Sequence, residues 1–433
     1  MCIMPIASLQ WQLSQIIMSD SKPLASDFLI IAGTYERLLY GLSCSTSPDN
    51  TITPVFIYPA HINCIKTVAA GCRFLATGST DEHVKLYDLR KCKEVGTLMH
   101  HSGTITALAF YNSSHLMTAS EDGTIGIVRS SDWELLKTLK GHTSSILSIA
   151  VHPSGKILLS VSKDKTLRCW DLMRGVCAYT LKLHAIAEQV VWSPSGSHYA
   201  LLFSNSVIVY LVETGDVFGK FDSPRSRLNA ISFTLCTASD STKTEVIIIG
   251  GEDKIITVIL PTGKVSMQWK SGHDSRIKDI AALVCTKRQT TVFATCSSDG
   301  AIFIWDLNMC HTVFSESDGH DDAQSKDLIP QKLCCFDTKC RLTCIALAEV
   351  DKVTINSSIN SSKTDYPESD YEDVGIAQPK ITVTMDKESK HSVSASLRLL
   401  GKVKKLSKKT VKTPLAKKSK TPNPALAKKS KTA

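Results

Sequence analysis

The sequence predicts an all-β protein, a seven-bladed β-propeller followed by a disordered, basic C-terminal tail. Three observations carry that expectation. First, one unit recurs: "LATGSTDEHVKLYDL" (residues 75–89), "LMTASEDGTIGIVRS" (116–130), "LLSVSKDKTLRCWDL" (158–172) and "FATCSSDGAIFIWDL" (293–307) align. Each has an apolar strand, a small or hydroxyl residue, an Asp-containing turn and a second, alternating strand. The turn aspartates Asp81, Asp122 and Asp164 are 41 and 42 residues apart, and His61, His101, His142 and His184 keep the same beat. A period of roughly 40 residues is that of four strands per propeller blade. Second, apolar residues recur with a period near two in "TITALAFY" (104–111) and "SILSIAVH" (145–152), as in half-buried strands. Third, charge is segregated. Residues 398–433 hold 13 Lys/Arg and no Asp/Glu, which leaves 37 Lys/Arg against 41 Asp/Glu in a near-neutral body.

Taken in order, residues 1–27 have no positive charge before Lys22 and a broken apolar pattern. They make a poor signal peptide and a poor mitochondrial presequence, and read as a disordered extension. "FLIIAGTYERLLYGLSC" and "TPVFIYPAH" supply two or three strands of a split unit. The complete units follow, separated by turn signals such as "HPSG" and "SPSG". Three further units, the split one included, are degenerate. Residues 184–215 carry Asn205 and Ser206 where the aspartate turn should be. Residues 228–272 keep Asp253, have no matching His or Trp, and contain an insertion around "CTASDSTKTE". "RLTCIALAEV" (341–350) reads as the missing inner strand of the split unit. Pairing the two chain ends closes the ring and removes open sheet edges. The propeller is therefore expected over residues 28–350, with six blades plus an appendage as the alternative. The acidic stretch 315–327 offers Asp318, His320, Asp321 and Asp322 as metal ligands, but reads more simply as a solvated loop. Residues 351–397 read as a disordered linker.

Composition excludes several classes. No apolar run approaches the ~20 residues of a membrane span, so a soluble intracellular protein is expected. The 15 cysteines show no C-x-x-C pair and read as small buried hydrophobes in a reducing compartment; no metal and no cofactor is expected. The phosphate-loop, H-E-x-x-H and G-x-S-x-G signatures are absent. One catalytic reading survives that screen, because His142, Ser160 and Asp164 are the parts of a hydrolase triad. The repeat gives them another meaning.

The unit at residues 158–172 resembles a WD40 repeat. In that family His, Ser/Thr, Asp and Trp form a hydrogen-bonded network that ties a turn to its blade. Carried over residue by residue, the resemblance implies four sets. They are His142, Ser160, Asp164 and Trp170; His61, Thr77, Asp81 and Tyr87; His273, Thr295, Asp299 and Trp305; and His101, Thr118 and Asp122, which lacks its aromatic because Val128 stands there. A catalytic triad need occur once, whereas a structural network recurs in blade after blade. The recurrence points to a protein that is not an enzyme.

A narrower resemblance rests on phrases in fixed order: "HHSGTITALAFYNSSHLMTASEDGTI", "HPSGKILLSVSKDKTLRCWDLMRG", "VVWSPSG", "SRIKDI", "SSDGAIFIWDL" and "RLTCIAL". Together they resemble the p21-activated kinase-interacting protein family of WD-repeat proteins. That likeness implies a nucleolar scaffold in large-subunit ribosome assembly and pre-rRNA processing, with ribosome-assembly proteins as partners. Animal members are also described as binding p21-activated kinase and restraining its activation. A ubiquitin-ligase adaptor is the weaker option, since "YDLR" (87–90) has Tyr where W-D-x-R needs Trp. The basic tail agrees with nucleus and nucleolus: Lys404, Lys405, Lys408, Lys409, Lys417, Lys418, Lys420, Lys428, Lys429 and Lys431 form K-K-rich runs of the import and nucleic-acid type. Without interleaved aromatics, contact with pre-rRNA would be to phosphate and weakly sequence-selective. On the propeller, Arg276, Lys278 and Arg341 are candidate partner-binding residues, because charges there have no evident structural role.

Overall fold

A computed structural model describes residues 27–45, 51–223, 226–237, 243–285, 290–307 and 330–349. The chain divides into a unit of residues 1–361, which holds every described element, and a unit of residues 362–433. The N-terminal 26 residues, the acidic stretch 315–327, the linker and the whole tail, with the ten lysines named above, lie outside the described residues. Among the described residues no helix is long and apolar enough to cross a membrane.

Seven four-stranded antiparallel sheets follow one another. The first blade has β1 (Phe28–Thr34), β2 (Leu38–Ser45) and β3 (Thr51–Pro59); the second has β4 (Ile65–Ala70), β5 (Phe74–Ser79), β6 (Val84–Asp88) and β7 (Lys93–Leu98). The third has β8 (Ile105–Tyr111), β9 (His115–Ser120), β10 (Thr124–Arg129) and β11 (Leu135–Lys140). The fourth has β12 (Ile146–Val151), β13 (Ile157–Ser162), β14 (Thr166–Asp171) and β15 (Val176–Lys182). The fifth has β16 (Gln189–Trp192), β17 (His198–Leu202), β18 (Ser206–Leu211) and β19 (Val217–Asp222). The sixth has β20 (Leu228–Thr237), β21 (Lys243–Gly251), β22 (Ile255–Ile259) and β23 (Val265–Lys270). The seventh has β24 (Ile277–Cys285), β25 (Thr290–Ser297), β26 (Ala301–Asp306) and β27 (Gln331–Asp337), and β28 (Leu342–Glu349) returns to the first blade.

The fold is thus a seven-bladed all-β propeller, and the six-blade alternative is set aside. Closure is by β28, which pairs antiparallel with β1 from Phe28↔Glu349 to Thr34↔Leu342. The innermost strands β28, β4, β8, β12, β16, β20 and β24 neighbour one another around the axis. Side chains stitch several of these strands together. Ser148 Oγ accepts the Val190 N–H (3.3 Å), Gln189 Oε1 the Ile231 N–H (3.0 Å) and Asp279 Oδ2 the Ile345 N–H (3.0 Å). Asn229 Nδ2 donates to the Ile277 carbonyl (3.0 Å) and Thr343 Oγ1 to the Ile65 carbonyl (2.7 Å).

The hydrophobic core lies between the sheets, one cluster per gap. Ala107, Met117, Ile125 and Ile127 of the third blade meet Ile146, Ile149, Leu158 and Trp170 of the fourth. Ala200, Leu202 and Val209 of the fifth meet Ile231, Ile247 and Ile249 of the sixth. Alternation within the strands produces this arrangement, since every second side chain enters a gap. At one close approach of two blades the strand residue is Gly78, whose Cβ would lie 2.5 Å from the Ile105 side chain.

Candidate functional site

The Asp turns and the histidines lie on one face of the propeller, the face at which the inner strands begin. Each turn is built locally. Oδ1 of Asp81, Asp122, Asp164 and Asp299 accepts the N–H two residues on, at 2.8–3.1 Å. The intervening residue takes a left-handed conformation: Glu82 (φ 70°), Gly123 (79°), Lys165 (58°) and Gly300 (95°). The second carboxylate oxygen reaches across to the incoming connection. It contacts Nδ1 of His61, His101 and His142 at 3.0 Å each, and accepts the N–H of the following residue, Ile62, Ser102 or Thr143. Nε2 of the same histidines meets Thr77 (2.8 Å), Thr118 (2.8 Å) and Ser160 (2.7 Å). Trp170 Nε1 completes the fourth-blade set by donating to Ser160 Oγ at 2.9 Å.

Electrostatics fix the protonation. Burial pushes the His61 and His142 imidazoles below their ordinary range despite the neighbouring carboxylates. Burial also pushes the Asp164 carboxyl up, but hydrogen bonds from Thr166, His142 and Thr143 outweigh it and bring it down to about 2. A neutral imidazole therefore gives its Nδ1 proton to an ionised aspartate and accepts the serine hydroxyl at Nε2. That is the connectivity of a triad. However, Ser160, Thr77, Thr118 and Thr295 are all fully enclosed (0% exposed), and Ser160 Oγ is already occupied by the indole. No substrate carbonyl reaches a hydroxyl so placed, and the arrangement recurs in blade after blade.

Three of the four expected sets depart from the pattern. Tyr87 does not join its network. Its hydroxyl is buried beside Thr77 but outside hydrogen-bonding geometry, because a phenol points along its ring axis where an indole N–H points sideways; the ring instead stacks on Tyr58 at 5.8 Å. His273 bonds Thr295 through Nε2 (3.0 Å), and Trp305 does so at 3.2 Å, but His273 Nδ1 stands 3.6 Å from Asp299 and makes no hydrogen bond among the described residues. Asp299 accepts the Asp274 and Ser275 N–H groups instead. The third-blade set is not left short by Val128. His100 fills the place of the missing indole, with Nε2 2.8 Å from Thr118 Oγ1. Gly126 makes the room, since a Cβ there would lie 2.6 Å from His100 Nε2. Sequence reasoning missed His100; the glycine opposite Thr118 in the β9–β10 register was its signal.

The same face carries the groups free for other work. A β-bulge interrupts the inner strand of six blades near its start, placing Thr343, Lys66, Thr106, Leu147, Asn229 and Lys278 at equivalent positions. Bulges re-aim a side chain at the rim of a closed sheet. Two residues earlier stand Arg341, Cys64, Thr104, Ser145, Arg227 and Arg276. The cations are concentrated on neighbouring blades: Arg276 and Lys278 on the seventh, Arg341 on the first, Lys66 on the second. The third and fourth blades are neutral there. Arg227 is committed to Glu188 (2.9 and 3.1 Å).

The structure thus brings Arg276, Lys278 and Arg341 together and adds Lys66. Burial lowers the Lys278 ammonium, and Arg276, Arg341 and Lys66 lower it further. Among the described residues, no carboxylate lies within ion-pair distance of Lys66 or Lys278, whereas Arg276 faces Glu252 at 3.4 Å. Glu36 receives the Arg341 N–H at 3.1 Å, and the Arg341 guanidinium lies 5.5 Å over the Tyr35 ring. The missed Lys66 also had a signal, because "IKT" (65–67) repeats "IKD" (277–279) at the same place in its unit.

The WD domain, G-beta repeat family model matches residues 52–88, 92–127, 133–171 and 264–306. Each match opens at the outer strand of one blade and continues into the next three strands, so the sequence repeat straddles two blades. The four matches enclose the four His–hydroxyl–Asp sets. The chain is 34% identical to the "p21-activated protein kinase-interacting protein 1-like" protein of Gallus gallus over 79% of its length and 86% of that relative. It is 32% identical to "p21-activated protein kinase-interacting protein 1" of Homo sapiens over 88% and 93%. It is 31% identical to "Protein MAK11" of Saccharomyces cerevisiae over 65% and 78%.

Proposed function

Because the chain belongs to the p21-activated protein kinase-interacting protein 1 family of WD-repeat proteins, we propose that it is a non-catalytic docking platform in the nucleolar assembly of the large ribosomal subunit and in pre-rRNA processing. The observation that carries this reading is the division of charge. A near-neutral propeller with one cationic mouth is joined to residues 398–433, whose 13 Lys/Arg face no Asp/Glu. Such a tail supplies nuclear import and salt-sensitive attraction to rRNA phosphate, while the propeller docks proteins. The triad-like side chains are absorbed by the blades, which removes the one group of residues that suggested turnover.

A second reading has its own support. The avian and human relatives are named as kinase-interacting proteins, and a propeller face that occludes a regulatory segment would make this chain a restraint on p21-activated kinase. Affinity purification from nuclear extract separates the two, using the full chain and a form lacking residues 398–433. The assembly reading expects large-subunit precursor rRNA and assembly factors with the full chain, and loss of RNA but retention of proteins with the truncated one. Recovery of kinase without rRNA in either form would replace it with the kinase reading.

A further inference from the structure

We propose that the cationic arc of Lys66, Arg276, Lys278 and Arg341 at the channel mouth docks a short acidic peptide segment of a partner protein that also carries an apolar side chain. The proposal rests on the platform reading and gives the partner its chemistry.

Three observations lead to it. The first is uncompensated charge. Lys278 is half-buried and held among three like charges, with no carboxylate among the described residues within ion-pair distance, so an incoming Asp or Glu relieves a repulsion already present. The second is geometry. Lys66 and Lys278 follow fully buried isoleucines, Ile65 and Ile277, and occupy the bulges of β4 and β24. β28 runs between these strands, with Arg341 at its entrance, so the charges converge from three adjacent inner strands upon one mouth. The third is an apolar rim beside them. Tyr35, 58% exposed, donates its N–H to the Arg341 carbonyl at 2.8 Å. Ile62, 73% exposed, has its carbonyl held by Arg37 at 3.1 Å. Glu36 and Glu252 engage the Arg341 N–H and the Arg276 guanidinium, and the Asp279 carboxylate accepts the Ile345 N–H; among the described residues none of them lies within ion-pair distance of Lys66 or Lys278.

A peptide fits this arrangement better than a nucleic-acid strand. The cations are gathered at the starts of three neighbouring inner strands, whereas a strand binder spreads them along a groove with aromatic platforms. The apolar rim is an aliphatic side chain, Ile62, and an aromatic ring, Tyr35, with the Arg341 guanidinium 5.5 Å over it; the described residues beside the cations form no run of aromatic platforms. Carboxylates at alternate positions of an extended segment reach neighbouring inner strands, and an apolar side chain between them meets Ile62 or Tyr35.

The test uses the full chain with the twelve lysines of residues 398–433 changed to Gln, so that the tail does not compete. A dye-labelled acidic peptide containing Phe and Leu, its Lys-for-Glu counterpart and a single-stranded RNA of matched charge are the probes, read by fluorescence anisotropy. The acidic peptide should bind, and the K66Q/K278Q variant should weaken it about tenfold or more with an unchanged or raised Tm. R341Q, at an exposed position, provides the same test should the double variant unfold. K66E/K278E should turn the preference to the Lys-for-Glu peptide. Undiminished binding by folded K66Q/K278Q or R341Q would overturn the proposal. So would RNA binding that these changes abolish while peptide binding persists. Failure of the assembly reading is seen separately, as absence of pre-rRNA from the nuclear purification, and leaves the anisotropy result standing.

Discussion

In the blade of β12–β15, His142, Ser160, Asp164 and Trp170 meet in one closed set of hydrogen bonds. In the blade of β20–β23 the corresponding interior is apolar. By strand register Ile249 stands where Ser160 does and Ile259 where Trp170 does, both essentially unexposed. Asp253 persists, but its carboxylate is at the surface, accepting the Ser226 hydroxyl at 2.8 Å and the Ile255 N–H at 3.1 Å. Both blades form the same four-stranded sheet. The network is therefore one of two ways to fill the space, and the sheet does not depend on it for existence. What differs is the response to damage. An apolar interior loses area when a side chain shrinks, while a closed polar set loses the partner of every group that remains.

His142→Ala should therefore cost the most, about 3 kcal/mol, because it opens a cavity, takes the acceptor from the Ser160 hydroxyl and removes one donor from Asp164, leaving Ser160 with Trp170 alone and Asp164 with Thr143 and Thr166. Asp253→Ala, at the matching turn of the apolar blade, should cost within about 0.5 kcal/mol, as surface changes do. Urea unfolding of the two variants beside the parent gives both numbers. Equal losses would break the comparison.

Acid should act on the polar blades selectively. Burial lowers His61 and His142, and brings His100 and His273 down to about 4. A histidine depressed in the folded state is protonated first in the unfolded chain, so its contribution is present above the unfolded value near 6.5 and is lost as pH falls toward the folded value. Asp164, held at about 2, loses its contribution only below the unfolded value near 4. Asp279 opposes them. Burial raises it to about 6, so its destabilising ionisation disappears as pH falls. Four histidines outweigh one carboxylate, and Tm should decline from pH 7 toward pH 4. Asp279→Asn should raise Tm at pH 8 and do so less at pH 5. A Tm flat over pH 7–4 would contradict the assignment of neutral, buried imidazoles.

How much of this was legible follows from what a repeat makes visible. His142, Ser160, Asp164 and Trp170 are spaced alike in several units, and the closing strand had a recognisable rhythm, so blades, closure and most of the sets could be read directly. His100 was hidden because its role depends on an absent atom, the Cβ of Gly126 on a strand paired across from it. Lys66 was hidden because a bulge is a property of register between two strands, invisible in either alone. In the sequence Arg276, Lys278 and Arg341 stand out only singly, as charges without structural work; their convergence is a consequence of ring closure, which sets β28 between β24 and β4.

Within the polar blades the indole position sharpens the comparison further. Trp170→Phe keeps the ring in its gap and removes only the N–H that Ser160 accepts at 2.9 Å. A neutral hydrogen bond of this kind contributes about 1 kcal/mol, and Ser160 keeps His142 as partner, so a loss near that value is expected in thermal unfolding. Trp305→Phe, whose bond to Thr295 is longer at 3.2 Å, should cost no more. A loss as large as that of His142→Ala would mean that the indole, and not the imidazole, organises the set.

The smallest effect is expected at Tyr87, and its sign is the informative part. Tyr87 occupies the indole position of the second blade, yet its buried hydroxyl has no hydrogen bond among the described residues. Tyr87→Phe removes a polar group that folding strips of water without replacement, and leaves the stack on Tyr58 intact. The change should be neutral or stabilising, within about 1 kcal/mol, where Trp170→Phe destabilises. Opposite signs at two equivalent positions would establish that membership of the set is decided by the direction of the donor and not by the presence of an aromatic ring. A clear loss at Tyr87 would place its hydroxyl on Thr77 after all, and the second blade would then match the fourth.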